Sequence, residues 1–382
     1  MTCPAEQGAP PAAAANPVPS PRPALRAPGR ALVVGTGLIG GSLGLALRAR
    51  GWHVTGRDAD PERARAALRM GALDAVGDER EAVVAFVATP LAAVAAEARS
   101  LLEDPARRGD LAVSDVSGVK APVVAAVDHP RFIGGHPMAG SEQAGLKGAD
   151  ADLFVGATWV LTPTATTAPG AYSTVQSVVG ALGADVVALA PSDHDRLVAV
   201  VSHVPHLVAA TLMNAASERA EHDAALLRLA AGGFRDMTRV AAGTPAIWPD
   251  ICADNAQAIV GTLDRLLGDL AAVRDLVASS DRAGLLEVLD RASAARRNLP
   301  ARATRPENLA ELRLAVPDRE GVLAEITTLA GDLGTNIYDI EIAHSAEGPR
   351  GVLTLVVASA DAARLRAALG AAGYRATVQE LA

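Results

Sequence analysis

A strand–glycine–helix junction near the N-terminus constrains this chain more than any other stretch. Ala31-Leu-Val-Val34 is a short buried β run that passes directly into Gly35-Thr36-Gly37-Leu38-Ile39-Gly40-Gly41-Ser42 and then a helical pattern over Leu43–Arg50. G-x-G-x-x-G between a strand and a helix is the context that makes this otherwise weak motif specific. The first glycine makes the turn, the second lets backbone N–H groups reach a pyrophosphate, and the third packs helix on strand. A second strand, His53–Gly56, ends at Arg57-Asp58, 18 residues beyond Gly40. A carboxylate there accepts hydrogen bonds from adenosine ribose hydroxyls and repels a 2′-phosphate. NAD is therefore the expected cofactor, with Arg57 able to soften the preference. The expected cofactor-binding residues are Gly35, Gly37, Leu38, Ile39, Gly40, Asp58 and Thr89.

Further β/α units follow, with strands at Val83–Thr89 and Leu111–Ser114 and a helix at Pro90–Leu102 between them. Asp115-Val-Ser117-Gly118-Val-Lys120 opens a helix at the carboxyl end of a strand, where open α/β sheets bind ligands. Phe132-Ile-Gly134-Gly135-His136-Pro-Met-Ala-Gly-Ser-Glu142 then reads as a strand end, a glycine turn and a presented histidine. A histidine there has an ordinary pKa near neutrality and can take a proton. Strands at Thr158–Leu161 and Asp185–Leu189 complete a Rossmann-type nucleotide-binding domain over residues 29–190.

Residues 191–303 are helical and rich in Ala and Leu, with a long apolar helix expected over Asp195–Asn214. His203 and His206, spaced i and i+3, fit a helix-packing pair and a ligand-facing pair equally. Another helix is expected from Ile247-Trp248 through Leu267, and an amphipathic one over Arg274–Ala295. A block this apolar is expected to bury itself against a second copy, giving a homodimer. After a polar linker, residues 309–382 alternate as β-α-β-β-α-β, a ferredoxin-like order.

Composition closes off several classes. The formal charge of −8 argues against a nucleic-acid partner. The first 28 residues are Pro/Ala-rich without an apolar stretch of the kind a secretory signal needs, and read as a disordered tail. Cys3 and Cys252 suggest no disulfide framework, which fits a reducing cytoplasm. No uninterrupted apolar run approaches the roughly 18 residues that span a bilayer, so no membrane partner is expected.

Four segments, GTGLIGGSLGLAL at 35–47, GGHPMAGSEQAG at 134–145, SHVPH at 202–206 and GGFRDMTRVA at 232–241, resemble the prephenate dehydrogenase (TyrA) family. The likeness runs from about residue 30 to 305. It implies an all-α, 6-phosphogluconate-dehydrogenase-like second domain and a reaction with no metal: oxidative decarboxylation of prephenate to 4-hydroxyphenylpyruvate in tyrosine biosynthesis. It further implies that His136 removes the ring-hydroxyl proton, that Arg239 grips the ring carboxylate, that His206 is a second substrate-side histidine, and that Glu142, Arg235 and Asp236 form an ionic cluster lining the site. The family pattern Asp-x-x-Ser-x-Lys departs here, with Gly118 at the serine position and Ser117 one residue earlier. Either Ser117 supplies the catalytic hydroxyl through a shifted loop, or the contact is missing and leaves room for another ring substituent. Through Val316-Pro-Asp-Arg-Glu-Gly321-Val-Leu-Ala-Glu-Ile326 and Gly334-Thr-Asn336-Ile337, residues 309–382 resemble an ACT module, which implies feedback by an amino acid, most simply tyrosine, held near Asp318, Gly321 and Asn336. Arogenate or amino-prephenate dehydrogenase and a non-catalytic dinucleotide sensor are the alternatives. A β-hydroxyacid dehydrogenase is disfavoured, since residues 192–303 contain no lysine to act as its acid/base.

Overall fold

The computed structural model describes residues 28–141, 143, 145–220, 226–297, 309–317, 319–344 and 350–381. The first block alternates strands and helices: β1 (Arg30–Val34), α1 (Leu38–Arg48), β2 (His53–Arg57), α2 (Pro61–Met70), β3 (Ala75–Val76), β4 (Val84–Val87) and α3 (Leu91–Glu103). It continues through β5 (Ala112–Asp115), α4 (Ala121–Val127), β6 (Phe132–Pro137), β7 (Thr158–Thr162), α5 (Pro169–Ala181) and β8 (Asp185–Ala188). The strands form one sheet in the order β3-β2-β1-β4-β5-β6-β7-β8, parallel except where β7 runs antiparallel to β6. The strand order reverses direction between β1 and β4, and ligands bind in the crevice beyond the strand carboxyl ends at such a point.

Both faces of the sheet are covered, which is why its central strands are apolar throughout rather than alternating. Ala31, Val33, Val84 and Phe86 pack with Leu43, Leu47, Val175 and Val178 on one side. Leu32, Val34, Ala85 and Val87 pack with Val94, Leu101, Val123 and Val127 on the other. Few aromatics are available, and Trp159 gathers two of them, Phe154 at 5.1 Å and Phe86 at 6.1 Å between ring centroids.

The second block is helical: α6 (Pro191–Val198), α7 (Val204–Ala220), α8 (Gly232–Thr238), α9 (Trp248–Asp254), α10 (Ala256–Ala278) and α11 (Arg282–Arg297). A π-helical turn, Ala199–His203, joins α6 to α7. Pro205 has no N–H for the regular ladder, and a widened turn just before it accommodates that loss. The resulting helix, Pro191–Ala220, is longer than expected, and it is long and apolar enough by length and composition to cross a membrane. Its most apolar window is only 28% buried within the chain. The expected helix Trp248–Leu267 is instead two helices that meet at Asn255. The expected helix Arg274–Ala295 is also interrupted: Ser280 takes φ 54°, and Asp281 accepts the Gly284 N–H to start α11.

The third block is β9 (Leu309–Pro317), α12 (Val322–Asp332), β10 (Ile337–His344), β11 (Arg350–Ala358), α13 (Ser359–Ala371) and β12 (Ala376–Leu381). Its antiparallel sheet has the order β10-β11-β9-β12, the ferredoxin-like arrangement. Leu312, Leu314 and Val316 alternate inward from β9 to meet Ile326 and Leu365 of the two covering helices.

Candidate active site

The nucleotide turn is built as its glycines require. Gly35 has φ 92°, and a β-carbon there would lie 2.5 Å from the Ala88 carbonyl oxygen. One at Gly40 would collide with the Gly35 carbonyl, whereas one at Gly37 meets nothing within 4 Å. Gly35 and Gly40 thus serve the fold, and Gly37 leaves clear the approach to the start of α1, where Leu38 and Ile39 lie. Asp58 closes β2. One of its carboxylate oxygens accepts from Thr36 N at 2.8 Å and Thr36 Oγ1 at 3.1 Å, the other from Asp60 N at 3.0 Å. Burial acts to raise its pKa, but these bonds and Arg63 prevail and hold it below the ordinary value. Arg57 is drawn to Glu97 at 2.6 Å, which limits its ability to favour a 2′-phosphate. Thr89 carries a buried hydroxyl with no partner among the described residues. An open glycine after β1, an acceptor carboxylate after β2 and an unsatisfied hydroxyl after β4, all at the carboxyl-end edge of the sheet, fit a dinucleotide.

His136 lies within a strand rather than on a turn, contrary to the expectation from its glycines. β6 runs through it to Pro137, and His136 sits opposite Val160 of β7. The two preceding glycines are needed for the protein's own packing. A β-carbon at Gly134 would strike Thr162 and Val124, and one at Gly135 would lie 2.6 Å from both the Asp115 carbonyl and Ser114 Oγ. Beside them is a buried polar knot. Asp115 accepts from Lys120 Nζ and Ser117 Oγ, from Ser117 N at 3.0 Å and from Gly135 N at 3.1 Å. Lys120 also donates to the Gly135 carbonyl at 2.8 Å, and burial lowers its pKa against the pull of Asp115.

The Ser117 hydroxyl is therefore tied into this knot, with Lys120 Nζ at 3.0 Å and Val119 O at 3.2 Å as its other partners. Gly118 is the residue that faces the histidine. A β-carbon on it would stand 3.8 Å from both Nε2 and Cε1 of His136. His136 Nδ1 lies 2.8 Å from His194 Nε2, and His194 Nδ1 lies 2.8 Å from Asp195 Oδ1. Asp195 is itself anchored, since it accepts Lys120 N and Ala121 N, each at 2.7 Å, at the start of α4. Burial pushes the His136 pKa well below the ordinary value, and His194, Lys120 and His203 add to the effect. A neutral imidazole is the form that can accept a proton.

The helical block closes one side of the cluster. Asn255 donates to the Asp195 carbonyl at 2.8 Å and stands 3.2 Å from His203 Nδ1. His206 stacks on Trp248 with ring centroids 3.7 Å apart, and burial lowers its pKa. The two histidines have separate roles: His203 is buried and hydrogen-bonded, and His206 is paired with an aromatic ring. Arg235, Asp236 and Arg239 are exposed on the chain, and the turn carrying Arg239 packs on α7. Glu142 and Asp318 lie outside the described residues. In the third block Gly321 takes φ 86° at the start of α12, beside a cavity of ≈ 330 Å³ lined by Pro317, Arg319, Val322 and Ile342. Asn336 is exposed and does not line that cavity. Sequence reasoning missed His194, Asp195 and Asn255. The one available signal was a His-Asp pair at the head of an otherwise apolar helix.

Comparison with known proteins bears on this geometry directly. Residues 43–188 match the family model described as prephenate dehydrogenase, nucleotide-binding domain, and residues 190–291 match prephenate dehydrogenase, dimerization domain. The prephenate dehydrogenase of Bacillus subtilis is 33% identical over 346 residues, covering 86% of this chain and 92% of that protein. The cyclohexadienyl dehydrogenase of Zymomonas mobilis is 33% identical over 270 residues, 67% of this chain and 90% of that one. Among solved structures, Aquifex aeolicus prephenate dehydrogenase in complex with hydroxyphenyl propionate and NAD+ aligns with a TM-score of 0.66 at 28% identity, covering 70% of this chain and 97% of its own. Synechocystis arogenate dehydrogenase aligns with a TM-score of 0.61 at 32% identity, covering 70% and 98%. The chain belongs to the prephenate dehydrogenase family and is an NAD-dependent dehydrogenase.

Proposed function

We propose that the chain oxidatively decarboxylates prephenate to 4-hydroxyphenylpyruvate. The observation that carries this reading is a histidine held neutral at the carboxyl end of β6, with Gly118 opening the space beside its Nε2. NAD+, held by the glycine turn, Asp58 and Thr89, supplies the hydride acceptor. As hydride leaves the ring carbon that bears the hydroxyl, His136 takes the hydroxyl proton. The dienone so formed loses CO2, and the ring oxygen takes a proton back as the ring becomes aromatic. Arg239 grips the ring carboxylate, which a planar guanidinium does better than a point charge, with Arg235 and Asp236 around it. His206, fixed against Trp248, faces the substrate. Ser117 supports the site from below by holding Asp115 and Lys120, and the ring hydroxyl is left to His136.

The exposed apolar faces of the helical block support a homodimer, in which a second copy covers the long Pro191–Ala220 helix and α10. The third block, with its cavity at Gly321, supports an ACT module through which tyrosine inhibits. Arogenate is the rival substrate, motivated by the similarity to the Synechocystis enzyme. NADH absorbance recorded with prephenate or arogenate, each with NAD+ or NADP+, decides between them. Rapid NADH formation from prephenate is expected. Turnover of arogenate alone would overturn the substrate assignment.

A further inference from the structure

The contacts behind His136 determine which of its ring nitrogens carries the proton. An ionised carboxylate only accepts hydrogen bonds, so the 2.8 Å contact with Asp195 places a proton on His194 Nδ1. A neutral imidazole has one N–H, so His194 Nε2 is then an acceptor. Its 2.8 Å neighbour, His136 Nδ1, must be the donor. The lone pair of neutral His136 is left on Nε2, the nitrogen that faces the opening at Gly118. The reverse tautomer would set two acceptors against each other at Nδ1 and close off Nε2 as a base.

Asp195 is suited to set this order because it cannot swing away. Its two oxygens cap Lys120 N and Ala121 N, and its own carbonyl accepts from Asn255. Both His194 and Asp195 are buried, His194 completely so. A fully buried histidine whose two nitrogens are both engaged, one to a carboxylate and one to another histidine, is a costly arrangement for a helix that only needed apolar packing.

We propose that His194 and Asp195 are positioning residues that fix His136 in the Nδ1–H tautomer and so present Nε2 as the base. The inference rests on His136 being the proton acceptor of the proposed reaction. The arrangement follows the logic by which a buried carboxylate orients a catalytic histidine, with one more imidazole in between. Both residues are buried behind Nδ1 of His136, on the side away from Nε2, so their loss should appear in kcat far more than in KM.

Two measurements on the full-length enzyme test this. Nitrogen-15 NMR of histidine-labelled protein, assigned with His136→Asn and His194→Gln spectra, reads the tautomers directly at a pH where the rings are neutral. Both His136 and His194 are expected to be protonated on Nδ1, and a proton on His136 Nε2 overturns the proposal. For kinetics, His194→Leu removes the acceptor behind His136, whereas His194→Gln can still accept from Nδ1 through its amide oxygen. The leucine variant should lose kcat by roughly 10²–10⁴-fold with little change in KM, and the glutamine variant should recover at least about tenfold of that loss. A leucine variant that binds NAD+ normally and retains wild-type kcat also overturns the proposal. If the wild-type enzyme turned over neither prephenate nor arogenate, the assigned reaction would fail while the NMR result still stood on its own.

Discussion

Adding one methyl group separates the roles of the glycines in the nucleotide turn. Gly37→Ala places its β-carbon in open space, so the chain should fold with an unchanged melting temperature but bind NAD+ more weakly, because that space is where backbone and pyrophosphate approach. Gly40→Ala collides with the Gly35 carbonyl and should lower the melting temperature as well. Calorimetric NAD+ titration beside thermal unfolding checks both, and equal binding losses with equal unfolding shifts would contradict the distinction. At this scale the sequence was legible where a residue acts through its backbone, because a glycine motif carries its conformational demand with it. It was less legible for side chains. The glycines before His136 suggested a turn, but the structure uses them to let β6 lie against β5 and β7 without side chains in between. Ser117 and Gly118 could not be told apart until the loop geometry showed which one faces His136.

Elements were read well where hydrophobic period and turn residues agreed, as in β1, β2 and the whole β-α-β-β-α-β block. They were read poorly where a polar residue interrupts an apolar helix. The breaks at Asn255 and at Ser279–Asp281 come from side-chain hydrogen bonds and one left-handed residue, which periodicity does not register. α10 shows what the helical pattern was signalling. Val260, Leu267, Leu270 and Val277 recur along one face and are all more than half exposed in the single chain. A stripe of that spacing is a helix-packing seam left open among the described residues. Leu267→Glu with Leu270→Glu should therefore leave the nucleotide-binding block folded and shift the protein from dimer to monomer by light scattering. A wild-type protein that is already monomeric would contradict the dimer.

Whole-molecule behaviour follows from groups spread over the first two blocks. Burial lowers the pKa values of His129, His136, His203 and His206. The unfolded chain therefore binds protons first as pH falls. Stability present above the unfolded histidine value of about 6.5 is lost progressively as pH falls from there towards the lower folded values. Denaturant midpoints should drop as pH falls from about 7.5 to about 5.5, through the unfolded value of about 6.5, and a constant midpoint would contradict these burial effects. Regulation belongs to the same scale. Tyrosine bound at the cavity beside Gly321 should release heat in calorimetry and reduce turnover of the full-length enzyme. Absence of both effects would leave the third block as an assembly module.

The most direct measurement is kcat/KM for prephenate with NAD+ across pH in the wild type and in His136→Asn, because kcat/KM reports ionisations of the free enzyme. The wild-type profile should stay level to below about 6.5 and then fall as His136 takes up a proton. The variant should be slower by roughly 10²–10⁴-fold and show no such limb. A variant as fast as the wild type, or the same acid limb in both, would contradict His136 as the base.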